Sequence, residues 1–261
     1  MGFMLNELTE VTLRPAEENA GIYFVRDDLQ GSPVIEAVPE NLRLSPNCTT
    51  LQKGDAKVIV VEHLMATLWA FGVTNLEVRL KGAEIPTFDG SAKPFSDFIR
   101  EAGIVEQDAL VKEIELLTPI VVREDREKLL LAVPADDFAL GYLLKYDESP
   151  ELGTDFLMLE ADREKFIDEV LLARTFIPEQ EALRLLEQGI ISSTDESMGV
   201  VVRPGDKPQL RVSHEFTRHK ILDMVGDLFV LGRNVKAHFL GVMSGHRLNA
   251  RMVRAISARY P

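Results

Sequence analysis

Apolar and polar positions in the first hundred residues alternate over short runs. EVTLRP, GIYFVR and KVIV predict strands, and they lead into VEHLMATLWAFG, where Val61, Leu64, Met65, Leu68 and Trp69 recur at helical spacing and Gly72 supplies the stop. In NLEVRL, Leu76, Val78 and Leu80 alternate with Glu77 and Arg79, which predicts a further strand. The turn-rich IPTFDGSAKPF then leads into a short helix, FSDFIREAG. IVEQDALVKEIE is charged and has no period, and beyond it the strand pattern restarts with TPIVVRE, KLLLAV and FALGYLLKY. That restart sets a boundary near residue 110, between a first domain of residues 1–109 and a second of 110–261. The second half continues with helices in DREKFIDEVLLA and EQEALRLLEQG, a strand in GVVVRPG, a helix in RHKILDMVGDL, a strand in AHFLGVM and a last helix from about Leu248. Strands precede helices in each half, the order of an α+β fold.

Length and composition narrow the function classes. A chain of 261 residues with 46% apolar side chains can bury a large core. Its formal charge of −13 repels a phosphate backbone, so nucleic acid is not an expected partner. MGFMLNELTEVTLRP lacks the basic start and apolar run of a secretory signal, and charge interrupts every long apolar stretch, so stable membrane insertion is not expected and the cytoplasm is the expected location. A single cysteine, Cys48, has no partner for a disulfide and reads as a small buried residue.

RHKILDMVGDL poses a physical question. On a helix His219, Asp223 and Asp227 stand at i, i+4 and i+8, in one stripe among apolar residues. Burying ionised carboxylates costs several kcal/mol each unless something positive compensates, either a metal ion or the neighbouring Lys220 and Arg218. Two ligands one turn apart do not complete a metal site, and a third has to come from elsewhere.

Of the five histidines, His63 follows Glu62 at the start of the first long helix, and His246 sits in MSGHRLN between an apolar strand and a helix. Taken alone, "EH" is better explained by a Glu62 that complements the helix dipole beside a satisfied interior His63. His214 and His238 lack such company and read as structural or exposed. A catalytic zinc keeps three protein ligands and an open position for water. His63, His219 and Asp223 meet that description, which leaves Glu62 as a base and His246 as an acid.

These segments carry a resemblance. VEHLMA, EIPTFDGSAKPF, ARTF, RHKILDMVGDL and SGHRLN stand in the order and approximate spacing of the UDP-3-O-acyl-N-acetylglucosamine deacetylase family, the zinc enzymes of lipid A biosynthesis, and NCTTL and AGIVEQDA extend the likeness to nearly the whole chain. The resemblance implies two domains, each a mostly antiparallel sheet packed on helices, with the helices sandwiched between the sheets and zinc at the junction. It implies His63, His219 and Asp223 as zinc ligands, Glu62 as general base, His246 as general acid and Thr175 as hydrogen-bond donor to the oxyanion. Lys220 then offsets negative charge and Asp227 orients His246. The implied reaction is hydrolysis of the N-acetyl group with release of acetate; iron(II) suits the same ligands as zinc.

Several segments depart from the family pattern. GFMLNEL has Asn6 where the family's amino-terminal loop has histidine, Ile177-Pro178 stands where the family has GF, SSTDES where it has a GGSxDN-like segment, and His214 replaces an aspartate. They leave two alternatives beside the main reading: a divergent paralogue acting on another acetamido sugar, and a non-catalytic sugar-nucleotide-binding homologue. Acyl-chain length and oligomeric state are not written in any residue pattern.

Overall fold

The computed structural model describes residues 2–160, 162–192 and 195–261. Fifteen strands and six helices follow one another along the described residues. The first half holds β1 (Glu10–Pro15), β2 (Ile22–Arg26), β3 (Val34–Glu36), β4 (Leu42–Arg43), β5 (Thr50–Lys53), β6 (Ala56–Ile59), α1 (Glu62–Phe71), β7 (Leu76–Lys81) and α2 (Lys93–Ala102). The second holds β8 (Glu113–Glu115), β9 (Ile120–Arg123), β10 (Leu129–Pro134), β11 (Phe138–Lys145), β12 (Thr154–Glu160), α3 (Arg163–Lys165), β13 (Phe176–Pro178) and α4 (Glu179–Glu187), then β14 (Val200–Val202), α5 (Glu215–Phe229), β15 (Asn234–Val242) and α6 (His246–Arg259). The expected α+β class is the one observed.

Two sheets frame the core. The first runs β1-β7-β2-β3, antiparallel except for the parallel β7/β2 pair, and its register sets Leu13, Val78, Phe24 and Ile35 in one row. The second runs β12-β11-β15-β10-β9, with β8 alongside β15, and sets Leu159, Leu140, Phe239, Ala132 and Ile120 in one row. Both rows belong to a single apolar cluster that also contains Leu64, Met65 and Leu68 of α1 and Leu222, Val225 and Phe229 of α5. Burying each such side chain contributes about 1.5–3 kcal/mol, so α1 and α5 are held where the sheets' apolar faces meet them. A small sheet, β4-β5-β6, precedes α1, and β13 pairs with β14 in parallel.

Three sequence expectations need correction. DREKFIDEVLLA does not form one regular helix: α3 lasts a single turn and continues as a π-helical turn over Phe166–Val170. The last helix starts at His246, two residues earlier than expected. The charged IVEQDALVKEIE segment contains β8, whose Ile114 pairs with Val235. Ser193 and Thr194 of the SSTDES segment lie outside the described residues.

Candidate active site

The cleft chemistry depends on how closely α1 and α5 approach. Gly226 makes that approach possible, because a Cβ built there would lie 2.0 Å from the Glu62 carbonyl oxygen and 2.8 Å from its carbonyl carbon. Backbone against backbone, the first turn of α1 thus faces the middle of α5, in which every residue except Lys220 is buried. Helix α1 ends as its sequence predicts, with Gly72 in the left-handed region and its N–H on the Leu68 and Trp69 carbonyls. Several segments that deliver site residues are strained. Val60, a β-branched residue at φ 61°, stands before Glu62, and Met243 at φ 47° stands before His246.

His63, His219 and Asp223 come together as the sequence predicts. All three are buried, and each offers one ligand atom within 4.8 Å of the other two. Both imidazoles turn Nε2 toward Asp223 Oδ1, at 3.8 Å from His63 and 3.4 Å from His219, and the two rings meet edge to face with centres 5.1 Å apart. The His219 Nδ1–H donates to the Ala173 carbonyl at 3.1 Å, which fixes the tautomer and leaves Nε2 as a lone-pair donor. Burial holds His219 neutral, down to about 3 against the pull of Asp223, and lowers His63 in the same way. For Asp223, burial alone would raise the pKa, but His219, Lys220 and His246 keep the carboxyl well below its usual range. Two neutral imidazoles and an ionised carboxylate converging on one buried point fit a divalent cation.

The remaining predicted residues surround this triad. Lys220 Nζ lies 2.9 Å from Asp223 Oδ2 and 5.5 Å from the centre of the Phe176 ring. Burial would lower its pKa, yet Asp223 and the Tyr146 and Tyr142 hydroxyls leave it raised. His246 opens α6, its Nε2 3.8 Å from Glu62 Oε1 and 4.0 Å from Asp223 Oδ2. Its Nδ1–H donates to Asp227 Oδ2 at 2.9 Å. Burial works against the charged ring, but Asp227 and Glu62 raise it to about 10. Glu62 is raised as well: burial, with Asp227 and Asp223, lifts it to about 8 against the pull of His246. A carboxyl and an imidazole, both of raised proton affinity, thus face each other beside the triad, a pairing that can hold and pass a proton. Thr175, half-buried, precedes β13, held by its N–H on the Gly90 carbonyl at 2.7 Å, and lines the same cleft.

Neither of the other histidines reaches the cleft. His214 binds Asp155 at 2.8 Å from the N-cap of α5, and His238 binds Asp137 at 2.5 Å on the surface. Cys48 is buried beside the site, its thiol pushed up to about 12 by burial and by Glu62. Sequence reasoning assigned no role to Asn249, whose Nδ2 donates to Asp227 Oδ2 at 2.8 Å, or to Thr49, which donates to Asp227 Oδ1 through its hydroxyl. Asn249 stands three residues after His246 on the same helix, and that spacing was the available signal.

A cleft of about 1070 Å³ opens over these groups, walled in part by Phe3, Met4, Leu185, Ile191 and Met198. The amino-terminal loop reaches it because the buried Glu84 carboxylate accepts the N–H groups of Met4 at 2.8 Å and Leu5 at 2.7 Å. Asn6 takes the left-handed conformation there, one that asparagine tolerates. No helix among the described residues is long and apolar enough to cross a membrane.

Away from the cation pocket, the wall that carries Thr175 depends on a buried ion pair. Glu215, fully buried, takes Arg174 Nε at 2.7 Å and Nη2 at 3.1 Å, along with the backbone N–H of Arg211 at 2.7 Å. Burial would raise its pKa, but the Arg174 guanidinium and the N–H groups of Arg211 and Arg174 more than offset that, and Glu215 titrates below its usual range. A depressed carboxylate stabilises the fold above its unfolded pKa of about 4.3, and that contribution is lost as pH falls through the native value. Glu215→Gln is therefore expected to destabilise the protein at pH 7 by about 2–3 kcal/mol and to flatten the acid limb of its stability curve. Urea denaturation between pH 3 and 7 checks this, and an unchanged acid limb counts against it.

The chain matches known proteins along nearly its whole length. The family model described as LpxC, UDP-3-O-acyl N-acetylglycosamine deacetylase, matches residues 1–258. A protein of Chlamydia felis named UDP-3-O-acyl-N-acetylglucosamine deacetylase is 36% identical over 259 residues, covering 98% of this chain and 92% of that protein. Proteins of the same name from Thioalkalivibrio sulfidiphilus and Chromohalobacter salexigens are each 36% identical, covering 99% of this chain and 86% of their own length. With a family match along nearly its whole length and relatives of this identity, the chain belongs to the UDP-3-O-acyl-N-acetylglucosamine deacetylase family.

Proposed function

We propose that this protein is a zinc-dependent amidase that removes the N-acetyl group of UDP-3-O-acyl-N-acetylglucosamine, releasing acetate, in lipid A biosynthesis in the cytoplasm. The observation that carries the reading is the convergence of His63, His219 and Asp223, with Glu62 and His246 facing each other beside them. The site stands where the two halves, residues 1–109 and 110–261, contribute α1 and α5 respectively. His63, His219 and Asp223 would hold the zinc, which when bound would supply Lewis acidity and lower the pKa of water. Glu62, in its ionised form, accepts the proton of the attacking water. Thr175, at the cleft wall, donates a hydrogen bond to the developing oxyanion, and Lys220 offsets the negative charge gathered near Asp223. His246 gives the proton on Nε2 to the departing sugar amine while Asp227 holds Nδ1. The apolar wall formed by Phe3, Met4, Leu185 and Ile191 suits an acyl chain.

The deciding experiment is mass spectrometry of the substrate incubated with zinc-loaded protein. Loss of one acetyl group with release of acetate, abolished by a chelator and restored by zinc, is the expected result. No release from folded, zinc-bound protein removes this substrate. Because the altered Phe3–Met4 loop and Ile177-Pro178 line the cleft, deacetylation of another acetamido sugar is the second reading, and turnover of such a sugar by the same protein would establish it. His246→Gln is expected to keep the metal and to lower kcat by roughly 10²–10⁴-fold, the contribution of a positioned acid. Unchanged turnover takes His246 out of the reaction.

A further inference from the structure

Thr49 lies in NCTT, immediately before β5, and it bonds to residues on three different helices. Its N–H donates to Glu62 Oε2 at 3.0 Å, and its carbonyl accepts the N–H of Val61 at 3.4 Å, so it seats the start of α1. Its hydroxyl donates to Asp227 Oδ1 on α5, and the same Oγ1 lies 3.2 Å from His246 Nδ1 on α6. The residue is 2% exposed, behind the groups that face the cleft rather than on the cleft wall. From these contacts we infer that Thr49 is a positioning residue, whose hydroxyl fixes the Asp227–His246 pair in register with Glu62 for the proton transfers of the deacetylation.

The physical reason lies in the Asp227 carboxylate. Its Oδ2 takes His246 Nδ1–H at 2.9 Å and Asn249 Nδ2 at 2.8 Å, while Oδ1 takes only Thr49 among the described hydrogen bonds. With both oxygens engaged, the carboxylate plane cannot turn, and the imidazole hydrogen-bonded to it keeps its proton on Nδ1 and its Nε2 toward Glu62 Oε1. Without the hydroxyl, Oδ1 becomes a buried acceptor with no donor, and rotation of the carboxylate to recover one tilts His246 away. Thr49 acts through another residue and does not touch substrate, so its loss falls on the chemical step and not on binding.

This inference rests on the proposed deacetylation, and its test keeps the two separate. Thr49→Val preserves shape and the backbone N–H to Glu62 while removing only the hydroxyl; Thr49→Ser restores the hydroxyl. In zinc-loaded protein, Thr49→Val is expected to lower kcat by roughly ten- to a hundredfold, with KM within about twofold and zinc content unchanged, and Thr49→Ser to recover most of that loss. Unchanged kcat in Thr49→Val, or equal losses in both variants, overturns the proposal. If Thr49→Val does not fold, Thr49→Ala takes its place under the same expectations. A second measurement needs no turnover: with isotope-labelled histidine, the low-field Nδ1 proton of His246, assigned by its absence in His246→Gln, should persist in the parent and in Thr49→Ser and be lost or shifted in the valine variant. The same resonance in all three overturns the positioning role even if the substrate proves to be another sugar. Its loss in the valine variant supports the role even if no variant releases acetate.

Discussion

Asp223→Ala is expected to abolish metal binding and deacetylase activity together. Asp223 is the only carboxylate of the triad, and its Oδ1 faces both imidazole Nε2 atoms. Without it, two neutral imidazoles remain, which bind a divalent cation weakly. The substitution also leaves Lys220 without its 2.9 Å partner, so a positive charge then faces the place where a cation would sit. Both effects oppose the metal. If bound zinc supplies about 4 kcal/mol of charge stabilisation, its loss lowers the rate by about a thousandfold.

Metal content and activity should be read on the same sample. Purified Asp223→Ala is expected to contain far less zinc than the parent after equal exposure, and added zinc at modest concentration should not restore turnover. Asp223→Asn separates the causes, since it keeps the shape and a ligand oxygen but gives up the charge. Its metal content should fall between those of alanine and parent. Full activity in metal-depleted Asp223→Ala would mean that the reaction does not use this cation site.

The polar stripe on α5 was legible because burying His219, Asp223 and Asp227 in an apolar helix has a physical cost that the sequence itself exposes. Glu62, His63 and His246 were legible as candidates by residue type and local context, whereas Thr175 acquired a role only through the family resemblance. Thr49 was quoted as part of a motif and given no role, because nothing local marks a threonine as a hydrogen-bond partner of groups 13 and 178 residues away. The fold shows the same divide. Strands with one buried face, such as β7, announce themselves by alternation. In β12, Phe156, Leu157, Met158 and Leu159 are apolar on both faces, with Phe156 and Met158 exposed, so the period is lost. β3, β4 and β8 are two or three residues long and exist through their pairing with neighbours. The π-helical turn at Phe166–Val170 has no breaker residue to signal it.

Gly226→Ala is expected to be the most damaging single methyl group in the protein, although Gly226 is not a ligand. The added Cβ would stand 2.0 Å from a carbonyl oxygen, 2.8 Å from the carbonyl carbon and 3.0 Å from the Cα of Glu62. All three atoms are backbone, so no side chain can swing aside and one helix has to move. Alanine's better helix propensity returns about 1 kcal/mol, against an overpacking cost of typically 1–3 kcal/mol that a backbone clash carries toward or beyond its upper end. A net loss of about 2 kcal/mol corresponds to a fall in Tm of roughly 4–8 °C for a chain of this size. The larger consequence is at the site. Pushing α1 away from α5 separates His63 from His219 and Asp223, so metal affinity should fall with every ligand still present. Calorimetry of the metal-free protein reads the first effect and competitive chelation of the zinc form reads the second. A variant with the parent's Tm and zinc affinity would show that the two helices do not need this contact to assemble the triad, whereas loss of both would show that one glycine sets the spacing of the whole site.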